Sequence, residues 1–129
     1  MGQQKKLRFL LCKPGSDMHW RGVHVLINYL RNAGIEIILI GNVTPQQIYQ
    51  AALQEDPDVI GISVGCESVL RYMPEIMDLL QGLNKPVIVG GNIYETMVPW
   101  LMDLKVDKAF LPQIPTSQIV DYIRAFSGK

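Results

Sequence analysis

Five short runs rich in branched apolar residues, each closed by turn-forming residues, alternate along this chain with segments whose apolar positions recur every three or four residues. No other feature constrains the fold as strongly. The runs are Leu7 to Cys12, Ile35 to Ile40, Val59 to Ser63, Pro86 to Gly90 and, less regular, Lys108 to Leu111. Such runs read as strands buried on both faces of a parallel sheet. After Gly22, apolar residues fall at Val23, Leu26, Ile27, Leu30 and Ala33, with His24, Asn28 and Arg31 opposite and a stop at Asn32-Ala33-Gly34; the spacing predicts an amphipathic helix. Thr44-Pro45-Gln46-Gln47 combines an N-cap, a proline at the first helical position and a capping-box glutamine, and predicts a helix to about Glu55. Met73, Ile76, Met77 and Leu80 mark a third helix, Val98, Leu101 and Leu104 a fourth, and Ile119, Val120, Ile123 and Phe126 a fifth.

Strict βα alternation requires right-handed crossovers and a parallel sheet with helices on both faces. The expected fold is a flavodoxin-like, doubly wound α/β sheet of five strands in the order 2-1-3-4-5. In that order the first and third strands are neighbours whose following helices leave on opposite faces, so a crevice opens at their carboxyl ends. The functional loops are then Lys13 to Gly22, Val64 to Leu70 and Gly91 to Glu95. With 129 residues, 48% of them hydrophobic, the chain suits a single domain over 1–129 with residues 1–5 and 127–129 frayed.

Twelve Lys plus Arg balance twelve Asp plus Glu, which disfavours nucleic acid and membrane surfaces as partners and leaves small molecules or proteins. Cys12 and Cys66 form neither a disulfide framework nor a C-x-x-C pair, which suits a reducing, cytoplasmic setting. The first apolar run is too short for a signal peptide or a membrane span.

The loop after the first strand lacks G-x-G-x-x-G and the G-K-[ST] of a phosphate loop, and Ser63 stands where a phosphoryl-accepting receiver needs an aspartate. What this loop offers is Asp17 two residues before His19, with Gly22 at the helix start. A carboxylate that accepts one imidazole N–H orients the ring for a metal at its other nitrogen. Equally, Asp17 can cap the helix and His19 can be an exposed loop residue. No second histidine or cysteine cluster completes a zinc site with His19, so a ligand role needs a metal already held by a macrocycle. His24 falls on the solvated stripe.

Gly15-Ser16-Asp17-Met18-His19-Trp20-Arg21-Gly22 resembles the D-x-H-x-x-G signature of the cobalamin-binding domains of adenosylcobalamin-dependent carbon-skeleton mutases, with Gly-Ser-Asp as in the glutamate mutase small subunit. Lys13-Pro14-Gly15, Ala51 to Asp56 and Asp58 to Ser63 resemble the methylmalonyl-CoA mutase C-terminal domain, and Val89-Gly90-Gly91-Asn92-Ile93 resembles the family's glycine pair. The similarity spans Lys6 to Phe126.

This resemblance implies that His19 replaces the cofactor's dimethylbenzimidazole as lower cobalt ligand and that Asp17 hydrogen-bonds His19. It implies further that Gly22 lets the helix start beside the corrin, that Ser63 faces the displaced nucleotide tail, and that Gly90 and Gly91 leave room for that tail. Gly90-Gly91 also reads as a simple strand end, and Ser63 as a strand-end hydroxyl. Met18, Trp20 and Arg21 flank the histidine, where they can cover the corrin, face a partner or be incidental. The chain departs from the family in two places. Its S-x-L becomes Ser63-Val64-Gly65, and a G-P-G-T turn becomes Leu111-Pro112-Gln113-Ile114-Pro115.

The function implied is that of a cobalamin-binding subunit, not catalytic alone, which presents a base-off, His-ligated corrinoid to a separate (β/α)₈-barrel subunit of a radical mutase, an isomerase. The cofactor would be adenosylcobalamin. A carrier of methylcobalamin for methyl transfer is one alternative, and an interaction or regulatory module with a degenerate pocket is another.

Overall fold

The computed structural model describes residues 6–15 and 21–126. The expected frayed ends lie outside the described residues, as do Asp17, Met18, His19 and Trp20. Five strands, β1 (Arg8–Pro14), β2 (Glu36–Val43), β3 (Val59–Val64), β4 (Val87–Gly91) and β5 (Lys108–Phe110), alternate with five helices. These are α1 (Arg21–Asn32), α2 (Pro45–Glu55), α3 (Met73–Leu80), α4 (Val98–Asp103) and α5 (Thr116–Arg124). The sheet is wholly parallel in the order β2-β1-β3-β4-β5. The expected fold is the observed one.

Two cores sandwich the sheet. On one face Leu10, Ile60, Ile62 and Val89 pack against Ile48 of α2, Ile76 of α3 and Leu101 of α4. On the other, Phe9, Leu11, Val59, Ile88 and Phe110 pack against Val23, Ile27 and Leu30 of α1 and Val120 and Ile123 of α5. The faces follow from strand alternation, since successive side chains point opposite ways. Helices therefore change side between β1 and β3, which is the condition for the crevice.

Sequence signals are realised where the chemistry is local. Thr44 Oγ1 accepts from the Gln47 N–H at 3.2 Å and Gln47 Oε1 accepts from the Thr44 N–H at 2.9 Å, the reciprocal capping box. An aspartate staples strand entry twice. Asp58 donates its N–H to Arg8 O at 2.8 Å and accepts the Arg8 N–H on Oδ2 at 2.8 Å. Asp107 repeats this with Val87 at 2.8 and 2.7 Å.

Boundaries differ where pairing, which local patterns do not report, extends a strand. β1 continues through Lys13 and Pro14, two residues assigned to the loop, and Lys13 is completely buried. β2 runs to Val43 by way of a bulge: Lys13 pairs with Gly41 and Pro14 with Val43, leaving Asn42 over in the left-handed region at φ 56°. The loop after β3 is not irregular but carries a 3₁₀ helix over Glu67–Tyr72. No helix among the described residues is long and apolar enough to cross a membrane.

Candidate functional site

The carboxyl ends of β1, β3 and β4 converge where the strand order reverses. Between the sheet and the α1/α5 layer there lies a slot of about 240 Å³. Its sheet wall is built from alternate residues of each strand: Phe9 and Leu11 from β1, Gly61 and Ser63 from β3, Ile88 and Gly90 from β4, and Phe110 from β5. Gly22, Val23 and Leu26 of α1 face it, as do Ile114, Thr116 and Ile119 at the start of α5. No charged side chain lines it among the described residues; Ser63, Thr116 and Asn92 are its polar side chains. A slot with mostly apolar walls and few polar groups accepts an aromatic ring with few polar atoms.

Of the residues singled out in the sequence, Gly22, Ser63, Gly65, Gly90 and Gly91 are brought together around this slot. Arg21 is the first residue of α1. The two glycines of the pair have different reasons. A Cβ at Gly90 would lie 3.7 Å from Phe110 Cβ, an ordinary contact, so its absence leaves open space in the slot. Gly91 has φ +113°, and a Cβ there would lie 2.3 Å from Val64 O, so the backbone itself demands glycine. Ser63 and Gly90 are direct register partners, which sets the hydroxyl beside the open space.

Two ties hold the rim. Asn92 donates its side-chain N–H to Gly65 O at 2.7 Å and its backbone N–H to Val64 O at 2.7 Å, joining the ends of β3 and β4. Gly15, at φ +71°, donates its N–H to Val43 O at 2.9 Å, and a Cβ on it would approach Tyr72 Cε2 to 3.1 Å. Arg71 stands over the Tyr72 ring at 5.1 Å from its centroid and donates to its hydroxyl at 3.2 Å. Gly15 is thereby tied to the end of β2 and lies beside Tyr72 of the segment after β3.

The replaced glycine turn divides between two places. Leu111, Pro112 and Ile114 line the slot, whereas Gln113 is exposed and lines a neighbouring groove with Glu67, Tyr94 and Glu95. Phe9, Gly61, Leu26, Thr116 and Ile119 join the site without having been named as site residues, and Asn92 joins it from the expected loop after β4. The two-residue spacing from Ser63 back to Gly61 was the available signal for one of them.

The protein's thiols are both free; burial pushes the Cys12 thiol well above the ordinary range, so it is an inert core group. Among the described residues no group of three or more His, Cys, Asp and Glu side chains is placed to hold a metal ion. His24 is exposed on α1, away from the slot wall.

The B12 binding domain model matches residues 7–125. The chain is 34% identical over 126 residues to the 2-hydroxyisobutanoyl-CoA mutase small subunit of Aquincola tertiaricarbonis, covering 95% of this chain and 93% of that one. It is 35% identical over 132 residues to the pivalyl-CoA mutase small subunit of Xanthobacter autotrophicus, covering 97% and 86%. Human mitochondrial methylmalonyl-CoA mutase is 30% identical across 92% of this chain, which corresponds to 17% of that protein. A cobalamin-binding protein from Desulfitobacterium hafniense, solved by crystallography, superposes with a TM-score of 0.82 over 96% of this chain and 60% of its own, at 20% identity, and so shares the fold. The doubly wound sheet, the slot at its switch point and the match over residues 7–125 make this chain a member of the B12 binding domain family.

Proposed function

We propose that this chain is the cobalamin-binding subunit of an adenosylcobalamin-dependent mutase acting on acyl-CoA esters, and that it presents a base-off corrinoid to a separate (β/α)₈-barrel subunit. The observation that carries the reading is the uncharged slot of about 240 Å³ between the sheet and α1/α5, open at Gly90. Its dimensions and lining suit the dimethylbenzimidazole end of a nucleotide tail withdrawn from cobalt. Mutase small subunits among the relatives support a larger catalytic partner and favour the mutase over a methyl-transfer carrier. Two free thiols fit a cytoplasmic location.

The cofactor supplies radical chemistry through homolysis of its cobalt–carbon bond. The chain's residues bind and orient. His19 would hold the cobalt, and Asp17 would accept its second N–H and fix the tautomer. Met18, Trp20, Arg21 and Gly22 would border the corrin. The Ser63 hydroxyl would donate to a ring nitrogen of the tail base, and Gly65, Gly90 and Gly91 would leave the backbone uncovered beside it. The apolar walls would keep water from the base.

The test is the spin-resonance spectrum of bound cob(II)alamin. In protein grown on histidine carrying a heavier nitrogen isotope, the nitrogen splitting should change. His19→Ala should abolish it and His24→Ala should leave it intact. Asp17→Ala should weaken binding by roughly tenfold or more. Cobalamin bound with its own base still on the metal would overturn the histidine-ligand mechanism.

A further inference from the structure

Gly61 lies in the middle of β3 and, unlike Gly91, has no positive φ that would call for glycine. The demand is for space. A Cβ at Gly61 would lie 2.4 Å from Phe9 Cζ and 2.9 Å from Phe9 Cε1, with Leu11 Cδ1 at 3.4 Å. The Phe9 ring, reaching across from β1, thus occupies the place a side chain on β3 would take. Leu11 is the register partner of Gly61, so Phe9 enters on the same face from one pleat below. Phe9 is completely shielded from solvent, yet it lines the slot. Ser63 and Gly90, paired with each other, lie toward the carboxyl ends of their strands and so toward the mouth. The ring is therefore at the inner end of the slot.

We propose that Phe9 seated on Gly61 is the floor of the slot, fixing how far the tail base enters, and that Gly61 is a positioning residue acting through that ring. The inference rests on the cobalamin reading above. A Cβ on Gly61 must lift the ring by roughly the difference between 2.4 Å and an ordinary contact of 3.4 Å or more. The lift is away from the sheet, toward the side on which the slot lies. A base whose position is set from the mouth by Ser63 then meets the ring, whereas a corrinoid without a tail does not reach it.

The experiment titrates the full chain with cobalamin and with cobinamide, which lacks the nucleotide tail. Gly61→Ala should weaken cobalamin binding by roughly tenfold or more, the range of an overpacked apolar contact, and leave cobinamide binding unchanged. Phe9→Leu lowers the floor and removes the contact at the end of the base, so it too should weaken cobalamin selectively. The double variant should bind cobalamin better than Gly61→Ala alone, because leucine leaves room for the new methyl. Where Gly61→Ala does not fold, Phe9→Leu and the double variant decide. Equal weakening of both ligands, or no rescue in the double variant, would overturn the floor. Wild-type protein that binds cobinamide as tightly as cobalamin would remove the tail from the slot and leave the cobalamin reading standing. Binding of neither would remove that reading.

Discussion

The two faces of the sheet are built from the same strands yet serve opposite ends. Toward α2, α3 and α4, β3 presents Ile60, Ile62 and Val64 and β4 presents Val87 and Val89, all buried. Toward α1 and α5 the intervening residues are Gly61, Ser63, Ile88 and Gly90, and beside them lies the slot. Because strand side chains alternate, the small residues Ser63 and Gly90 hollow one face near the strand ends without thinning the other. Stability and ligand space are thus separated by one residue of register, and substitutions on adjacent residues should have effects of different kinds.

The largest expected effect breaks the separation at the rim. Gly91→Ala places a methyl against the Val64 carbonyl in a backbone conformation alanine avoids, and should destabilise by on the order of 4 kcal/mol or more. Denaturant unfolding measures it. An alanine tolerated within about 1 kcal/mol would show that the β3–β4 rim yields easily. On the sealed face, Ile60→Ala should cost about 2–5 kcal/mol through the cavity it leaves, while the protein that remains folded keeps its cobalamin affinity. A selective loss of affinity would mean that the sealed face takes part in binding.

Gly90→Val sharpens the contrast from the open face. Its Cβ meets only ordinary contacts, so the melting temperature should hold while the added methyls enter the slot. Cobalamin binding should fall by roughly tenfold to a hundredfold, the equivalent of about 1–3 kcal/mol of overpacking, and cobinamide binding should not. Undiminished cobalamin binding in a titration would place the tail elsewhere. The smallest effect is expected at Thr44→Ala, which removes one half of the α2 capping box and lies outside the slot lining. About 1 kcal/mol of stability should go, with no change in either ligand's affinity.

The element order, the sheet order, the capping box and the loops that meet at the switch point were all legible in the amino-acid sequence. Each depends on local periodicity, on turn chemistry or on the handedness of crossovers, none of which needs a distant partner. Ser63, Gly65 and the glycine pair, singled out by the family resemblance, fall at strand ends and line the slot. The tertiary structure alone decided which glycine was needed for what. Gly91 is held to its conformation by Val64, from a strand more than twenty residues earlier, and Gly61 makes way for Phe9, from a strand earlier still. The bulge at Asn42 and the tie from Asn92 to Gly65 likewise arise only once strands are in register. A sequence carries the period of a strand within a few residues, but the identity of the atom that fills the space beside a missing Cβ is set by pairing between segments far apart in the chain.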